Sequence, residues 1–336
     1  IQIKGFLCDF ESLLPDIIDH ISAKNFDGGI VKSQVQCLID DVHSYRASEQ
    51  YSLALNEIRR IGKLHFSHSN QKLVENLSCL DDFNYKESLE TFLSGMSCKV
   101  IAFGTDKPHL SQKIIEIISD GFAKNKISLK KLEMPSKYYR TLEDGEKIET
   151  RITNTHDKKN KAATFYFPLG QTSNENIAKV KIIDRLFSDN FFNILRTEKQ
   201  YGYVCRMTYF INFDYVGIQF ILQSDKLDSA GVKNEILDFI ESYLSSVKDI
   251  SDDKWQSAIK SELDILNDNQ FSSKQDFNKL INLAGRENLK LSNESLKTYD
   301  FQSEFLKNIS KDDIHEIIER YMINPETRRY FLSISE

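Results

Sequence analysis

Between Phe191 and Cys205 the chain changes its hydrophobic period from helix to strand, and that switch constrains the fold more than any other feature. Phe191 to Glu198 carries the spacing of a short helix, and Val204 to Phe213 reads as a strand. Between them lie only Lys199-Gln200 and Tyr201-Gly202-Tyr203. A helix end joined to a strand start by so few residues makes one tight turn. Arg196 and Tyr203, seven residues apart, stand at its two sides, with Gly202 letting the chain turn closely between them.

The flanking sequence extends this pattern. Lys147 to Thr153 and Ala162 to Phe167 read as strands, separated by the turn-rich stretch His156 to Asn160. Asn174 to Phe187 has Ile177, Val180, Ile183 and Phe187 on one helical face. After the turn, Val216 to Gln223 is a second strand, with a turn near Asp214. Helices are then expected at Ala230–Val247, Asp252–Leu266, Lys274–Ala284 and Lys311–Met322, the last capped by Ser310, before a closing strand at Tyr330–Ile334. Trp255, the sole tryptophan, is expected to anchor its helix in the core.

The first half reads differently. A strand at Ile1–Gly5 precedes helices at Leu13–Ala23, around Val31 to Val42, and around Leu53 to Ile61. Ser69 and Asn84 are candidate caps for two more, Cys98–Phe103 is a candidate buried strand, and Leu110–Phe122 is amphipathic. Lys124 to Arg140 holds six basic residues and one acidic, with Pro135 in its middle, and reads as a solvated connector. The segments opening at Phe26 and at Ile250 begin similar successions of helices, each closed by an apolar strand, at an offset of 224 residues. The expected fold class is therefore α+β: two tandem units, each an antiparallel sheet packed against helices, the first lacking its opening strands. The division is 1–130 for the first unit, 131–146 for a linker and 147–336 for the second. A chain starting inside a strand, with no initiator Met, reads as cut from a larger polypeptide.

Composition narrows the function classes. With 40% hydrophobic and 28% charged residues, the 336-residue chain has ample material for ordinary cores. A net charge of −6 argues against a nucleic-acid partner, since phosphate contacts need a basic face. No apolar run approaches the length of a membrane span, so no membrane partner is expected. Five scattered cysteines without a C-x-x-C pair suggest reduced thiols and a cytoplasmic location.

Leu195-Arg196-Thr197, Gln200 and Gly202-Tyr203 resemble the Leu-Arg-Thr-x-x-Gln-x-Gly-Tyr segment of the insulysin (insulin-degrading enzyme) and pitrilysin zinc metallopeptidases. The turn at Gln171–Asn174, the strand end Ile221–Ser224, the opening Ile1–Phe6 and the tripeptide Tyr45-Arg46-Ala47 fall in the same family order. The sequence departs from it at two places: Glu198-Lys199 inverts the expected order, and Tyr201 replaces a commoner aliphatic. The resemblance implies a C-terminal half made of the third and fourth of four α+β units. It implies that Tyr203 stabilises the tetrahedral intermediate as a catalytic residue and that Arg196, with Tyr203, binds substrate. It also implies zinc in an N-terminal half, covalently attached or separate, and peptides as substrates. Gln223 and Ser224 stand either as chamber lining or as a plain sheet terminus.

This chain lacks the family's metal motif, H-x-x-E-H. Among its seven histidines, His65-Phe-Ser-His68 has no glutamate at the fourth place, and His315-Glu316-Ile-Ile-Glu319 has no second histidine. No metal or other cofactor is therefore expected on this chain, and it is expected to be inactive alone. Three readings follow. The first is the C-terminal half of an insulysin-like metalloendopeptidase. The second is a non-catalytic scaffold or peptide-binding subunit of a processing-peptidase-like complex. The third is a helical interaction module. A homodimer through these units is left open.

Overall fold

The helical spacings of the first residues become helices in the computed structural model, which describes residues 10–22, 27–46, 48–64, 70–78, 85–97, 109–130, 139–154, 156–211, 215–267 and 298–336. The helices are α1 (Phe10–Ser22), α2 (Gly28–Arg46), α3 (Gln50–Ile61), α4 (Asn70–Ser78), α5 (Tyr85–Ser94) and α6 (Leu110–Lys124). The expected strands at Ile1–Gly5 and Cys98–Phe103, the turn near Asp214 and the helix at Lys274–Ala284 lie outside the described residues.

One structural unit comprises residues 1–40, 71–135 and 271–290. Its small core joins Ile18 of α1, Leu93 of α5, Phe122 of α6 and Ile127. At the end of α6, the Asn125 amide and the Lys124 ammonium hold the Asp19 carboxylate at 2.9 and 3.1 Å. These partners keep Asp19 below the usual carboxylate range.

The second unit comprises residues 41–70, 136–270 and 291–336. Its strands are β1 (Lys147–Ile152), β2 (Lys161–Gln171), β3 (Val204–Ile211), β4 (Tyr215–Ser224) and β5 (Tyr330–Ser335). Its helices are α7 (Asn174–Phe192), α8 (Ser229–Tyr243), α9 (Asp252–Asn267), α10 (Thr298–Asn308) and α11 (Lys311–Ile318). The strands form one sheet in the order β1-β5-β2-β4-β3. It is antiparallel except where β1 runs parallel to β5. The two strands around His156–Asn160 are therefore not neighbours, because the C-terminal strand inserts between them. β2 also continues past Phe167, carrying Pro168 through a register shift that ends at Gly170. A bulge tolerates a proline that an unbroken ladder would not.

Alternation along the strands sends Phe165, Phe167, Phe220, Leu222, Leu332 and Ile334 to one core. There they meet Ile183, Phe187 and Phe191 of α7, Ile236 and Phe239 of α8, and Trp255 of α9. Phe191 packs edge-on to Phe220 and Phe239 at 5.3 and 4.9 Å. Burying each such ring stabilises the unit by about 2–3 kcal/mol. Ser310 caps α11 as expected, in a capping box: its Oγ accepts the Asp313 N–H at 3.2 Å, and the Ser310 N–H reaches the Asp313 carboxylate at 2.8 Å.

The other face of the sheet is covered by α3. Ile58 packs with Tyr166 and Phe331, and Leu53 and Ala54 are buried. The start of α3 is pinned to two strand ends. The Tyr51 N–H donates to the Gln223 side-chain oxygen at 3.0 Å, and the Gln50 side chain bonds Ser335 and the Asp157 carbonyl. From sequence this helix was grouped with residues 1–130; by packing it belongs to the sheet. Periodicity shows that a helix has an apolar face but not which surface buries it.

One carboxylate on α7 sits awkwardly. Asp184 has a buried oxygen with no hydrogen-bond partner among the described residues, and burial pushes its pKa from 3.8 up to about 6, with Arg185 opposing and Glu262 reinforcing the shift. A raised carboxylate pKa means that the folded state disfavours the ionised form. The native unit then loses stability as pH rises from about 4 to about 6, and the deficit stays constant above that. Asp184→Asn removes this loss. With discounting for the partly exposed side chain, the gain at pH 7 is about 1 kcal/mol, or roughly 2–4 °C in Tm. Thermal melts of both proteins at pH 4 and pH 7 check this: the two curves should diverge only at the higher pH.

Candidate functional site

The turn after α7 is built by a change of helical winding. Residues Asn193–Glu198 form a π-helical turn, in which the Lys199 N–H reaches the Ile194 carbonyl five residues back at 2.9 Å. Ile194 and Leu195 are buried and hold this turn to the core. Arg196, the next residue, is exposed. Such wide turns re-aim side chains that a regular helix would direct elsewhere.

Two rings hold the Arg196 guanidinium. It lies 4.9 Å from the centre of the Phe192 ring and 5.0 Å from that of Tyr203. Phe192 stands four residues earlier, on the same helical side, and Tyr203 arrives from the start of β3. Tyr203 is 79% exposed, so its hydroxyl end is open to a ligand. Each cation–π contact at an exposed place contributes about 0.5–1 kcal/mol. A guanidinium held by ring faces keeps its in-plane N–H donors. Among the described residues it makes no ion pair. Beneath the turn, burial pushes the Cys205 thiol up to about 11, and the Arg196 charge opposes that shift.

The backbone between these groups is fixed at several points. Gln200 adopts a left-handed conformation, with φ of 52°. The Tyr201 N–H donates to the Leu195 carbonyl at 2.9 Å, and the Ser224 hydroxyl donates to the Tyr201 carbonyl. Gly202 passes so near the end of β4 that a Cβ there would sit 1.8 Å from the Gln223 carbonyl oxygen. The glycine between the two site residues is thus required by close approach, and Gln200 takes the left-handed place. Gln223 and Ser224 serve as the sheet terminus: one anchors α3, and the other ties Tyr201 and accepts the N–H groups of Lys226 and Leu227.

The structure brings together Arg196 and Tyr203, the two site residues expected from sequence. Phe192 was missed, although its four-residue spacing to Arg196 on a helix is a readable signal. Among the described residues, no group of three His, Cys, Asp or Glu side chains is placed to hold a metal ion. His315, Glu316 and Glu319 line an open groove with Asp144, Asp312 and Arg320. Its charges are largely paired, Arg320 with Asp144 at 3.2 Å and Lys248 with Asp312 at 3.0 Å. Among the described residues, these side chains do not fit a zinc ion.

Residues 182–281 match the family model described as PQQ synthase PqqF-like, C-terminal lobe domain 4. No curated protein matches the sequence significantly. Among solved structures, pitrilysin superposes with a TM-score of 0.78 at 12% identity, over 98% of this chain and 34% of pitrilysin. A protease from Helicobacter pylori gives 0.67 at 10% identity, over 97% and 77% of the two chains. A peptidase M16 inactive domain from Pseudomonas fluorescens gives 0.61 at 11% identity, over 93% and 71%. The chain spans about a third of pitrilysin's length. A mixed sheet with helices on one face, α3 on the other and this superposition together give the chain a pitrilysin-like fold.

Proposed function

We propose that this chain is the C-terminal half of a zinc metalloendopeptidase of the insulysin and pitrilysin type, and that it is inactive alone. The observation that carries the reading is the exposed Arg196–Tyr203 pair, with the guanidinium 5.0 Å from the centre of the phenol ring. The zinc, which supplies the activated water, belongs to an N-terminal half. This chain supplies a wall of the reaction chamber and two contacts. Tyr203 donates its hydroxyl to the oxygen on which charge develops as a peptide carbonyl is attacked. Arg196 holds a carbonyl or carboxylate of the peptide through its in-plane donors. The flanking rings limit the guanidinium's freedom before substrate arrives, which lowers the entropy lost on binding.

The test is reconstitution. This chain is mixed with a zinc-bearing N-terminal half and assayed with a quenched-fluorescence peptide. Hydrolysis should appear only in the mixture. Arg196→Lys, which keeps the charge but loses the planar fork, should raise KM about tenfold. A mixture no more active than the N-terminal half alone would reject the reading. The alternative, a non-catalytic scaffold or peptide-binding subunit, is favoured by the likeness to a domain whose own name calls it inactive. It predicts a stable complex with the other half that binds peptide without cleaving it.

A further inference from the structure

Lys199 and Tyr201, at the two places where this chain departs from the family pattern around the site, lie beside one carboxylate. The Lys199 ammonium lies 2.6 Å from Glu235 of α8, a side chain only 16% exposed. The Tyr201 phenol lies beside the same carboxylate, which raises its pKa above the ordinary value. Lys199 also sits 5.5 Å from the centre of the Tyr201 ring, which closes a three-membered cluster. With its N–H on the Leu195 carbonyl and its carbonyl on the Ser224 hydroxyl, the Tyr201 backbone is held on both sides. Two residues later the chain presents Tyr203 to Arg196.

We propose that Glu235 is a positioning residue: through Lys199 and Tyr201 it fixes the turn so that Arg196 and Tyr203 converge, while touching neither. The argument is geometric. The turn spends one residue, Gln200, in a left-handed conformation that non-glycine residues rarely adopt, so surrounding contacts must hold it there. Backbone bonds fix the turn to its own helix end and to β4. Among the described residues, the Lys199–Glu235 ion pair ties the turn to α8. The Lys199–Glu235 ion pair at 2.6 Å is a short, charge-assisted connection, and the Tyr201 ring stands against its ammonium. The inverted Glu198-Lys199 order and the aromatic Tyr201 then have a common purpose, since each provides one arm of the connection. The consequence for catalysis rests on the proposed function; the effect on the turn does not.

The experiment places 3-fluorotyrosine at position 203 of the full chain and follows its fluorine resonance. Arg196→Ala defines the shift of an unstacked ring. Tyr201→Phe, nearly isosteric and so expected to fold, and Glu235→Gln should each move the resonance most of the way to that value. Asp238→Asn removes a nearby charge that also acts on Tyr201 and Lys199, and should leave the resonance in place. In the reconstituted peptidase, Tyr201→Phe and Glu235→Gln should lower kcat about tenfold with KM unchanged, as expected of a small misplacement. A resonance unmoved by Tyr201→Phe, or moved equally by Asp238→Asn, overturns the proposal, as does a loss confined to KM. A reconstituted mixture without hydrolysis, but with the expected resonance shifts, rejects the function and leaves the positioning role standing.

Discussion

Tyr203→Phe in the reconstituted peptidase is expected to lower kcat about a hundredfold while leaving KM within about twofold, because one oxyanion donor contributes about 3 kcal/mol to the barrier. The split between constants is the informative part. Tyr203 is 79% exposed, and its ring, retained in the variant, keeps the cation–π contact with Arg196. Ground-state binding through Arg196 therefore survives, and only the hydrogen bond to the developing charge is lost. Stability should be unchanged, since the hydroxyl makes no contact that holds the fold. Steady-state kinetics on the mixture, beside a thermal melt of the variant, decides the matter. A change below threefold in kcat would remove Tyr203 from the chemistry and favour the scaffold reading.

Gly202→Ala is expected to give the largest structural effect of any single methyl added at the site. Its Cβ would lie 1.8 Å from the Gln223 carbonyl oxygen and 2.8 Å from that carbonyl carbon. Both are backbone atoms of β4, so no flexible side chain can give way. The start of β3 must separate from the end of β4, breaking the pairing of Val204 with Gln223 and pulling Tyr203 away from Arg196. The expected loss is about 2–3 kcal/mol, or roughly 5–10 °C in Tm, with activity falling at least as far as in Tyr203→Phe. Gly28→Ala, where an added Cβ meets nothing within 4 Å, serves as the neutral control. An unchanged melt for Gly202→Ala would mean that the turn approaches β4 less closely than described.

Much of this molecule could be read before its structure. Most helix and strand positions in the second unit follow from apolar spacing, though α10 (Thr298–Asn308) was not expected, and Ser310 announces its helix by a hydroxyl followed three residues later by an acid. The nearness of Arg196 and Tyr203 follows from how little chain separates a helix end from a strand start. Phe192 was within reach, because residues four apart on a helix share a side. Glu235 was not: it lies on α8, thirty-four residues beyond Tyr201, and nothing in its local sequence marks it as a partner of the turn.

What the amino-acid order determined on its own is most of the described elements, their apolar sides and the short turn that presents a guanidinium beside a phenol. These are local properties, governed by backbone period, capping and the reach of a few residues. The tertiary structure alone decided that β5 inserts between β1 and β2, that α3 covers the second face of the sheet, and that Glu235 reaches the turn. Each of these depends on which of several equally apolar or equally charged surfaces come together. That choice is made by shape and packing across long stretches of chain, to which a local pattern is blind.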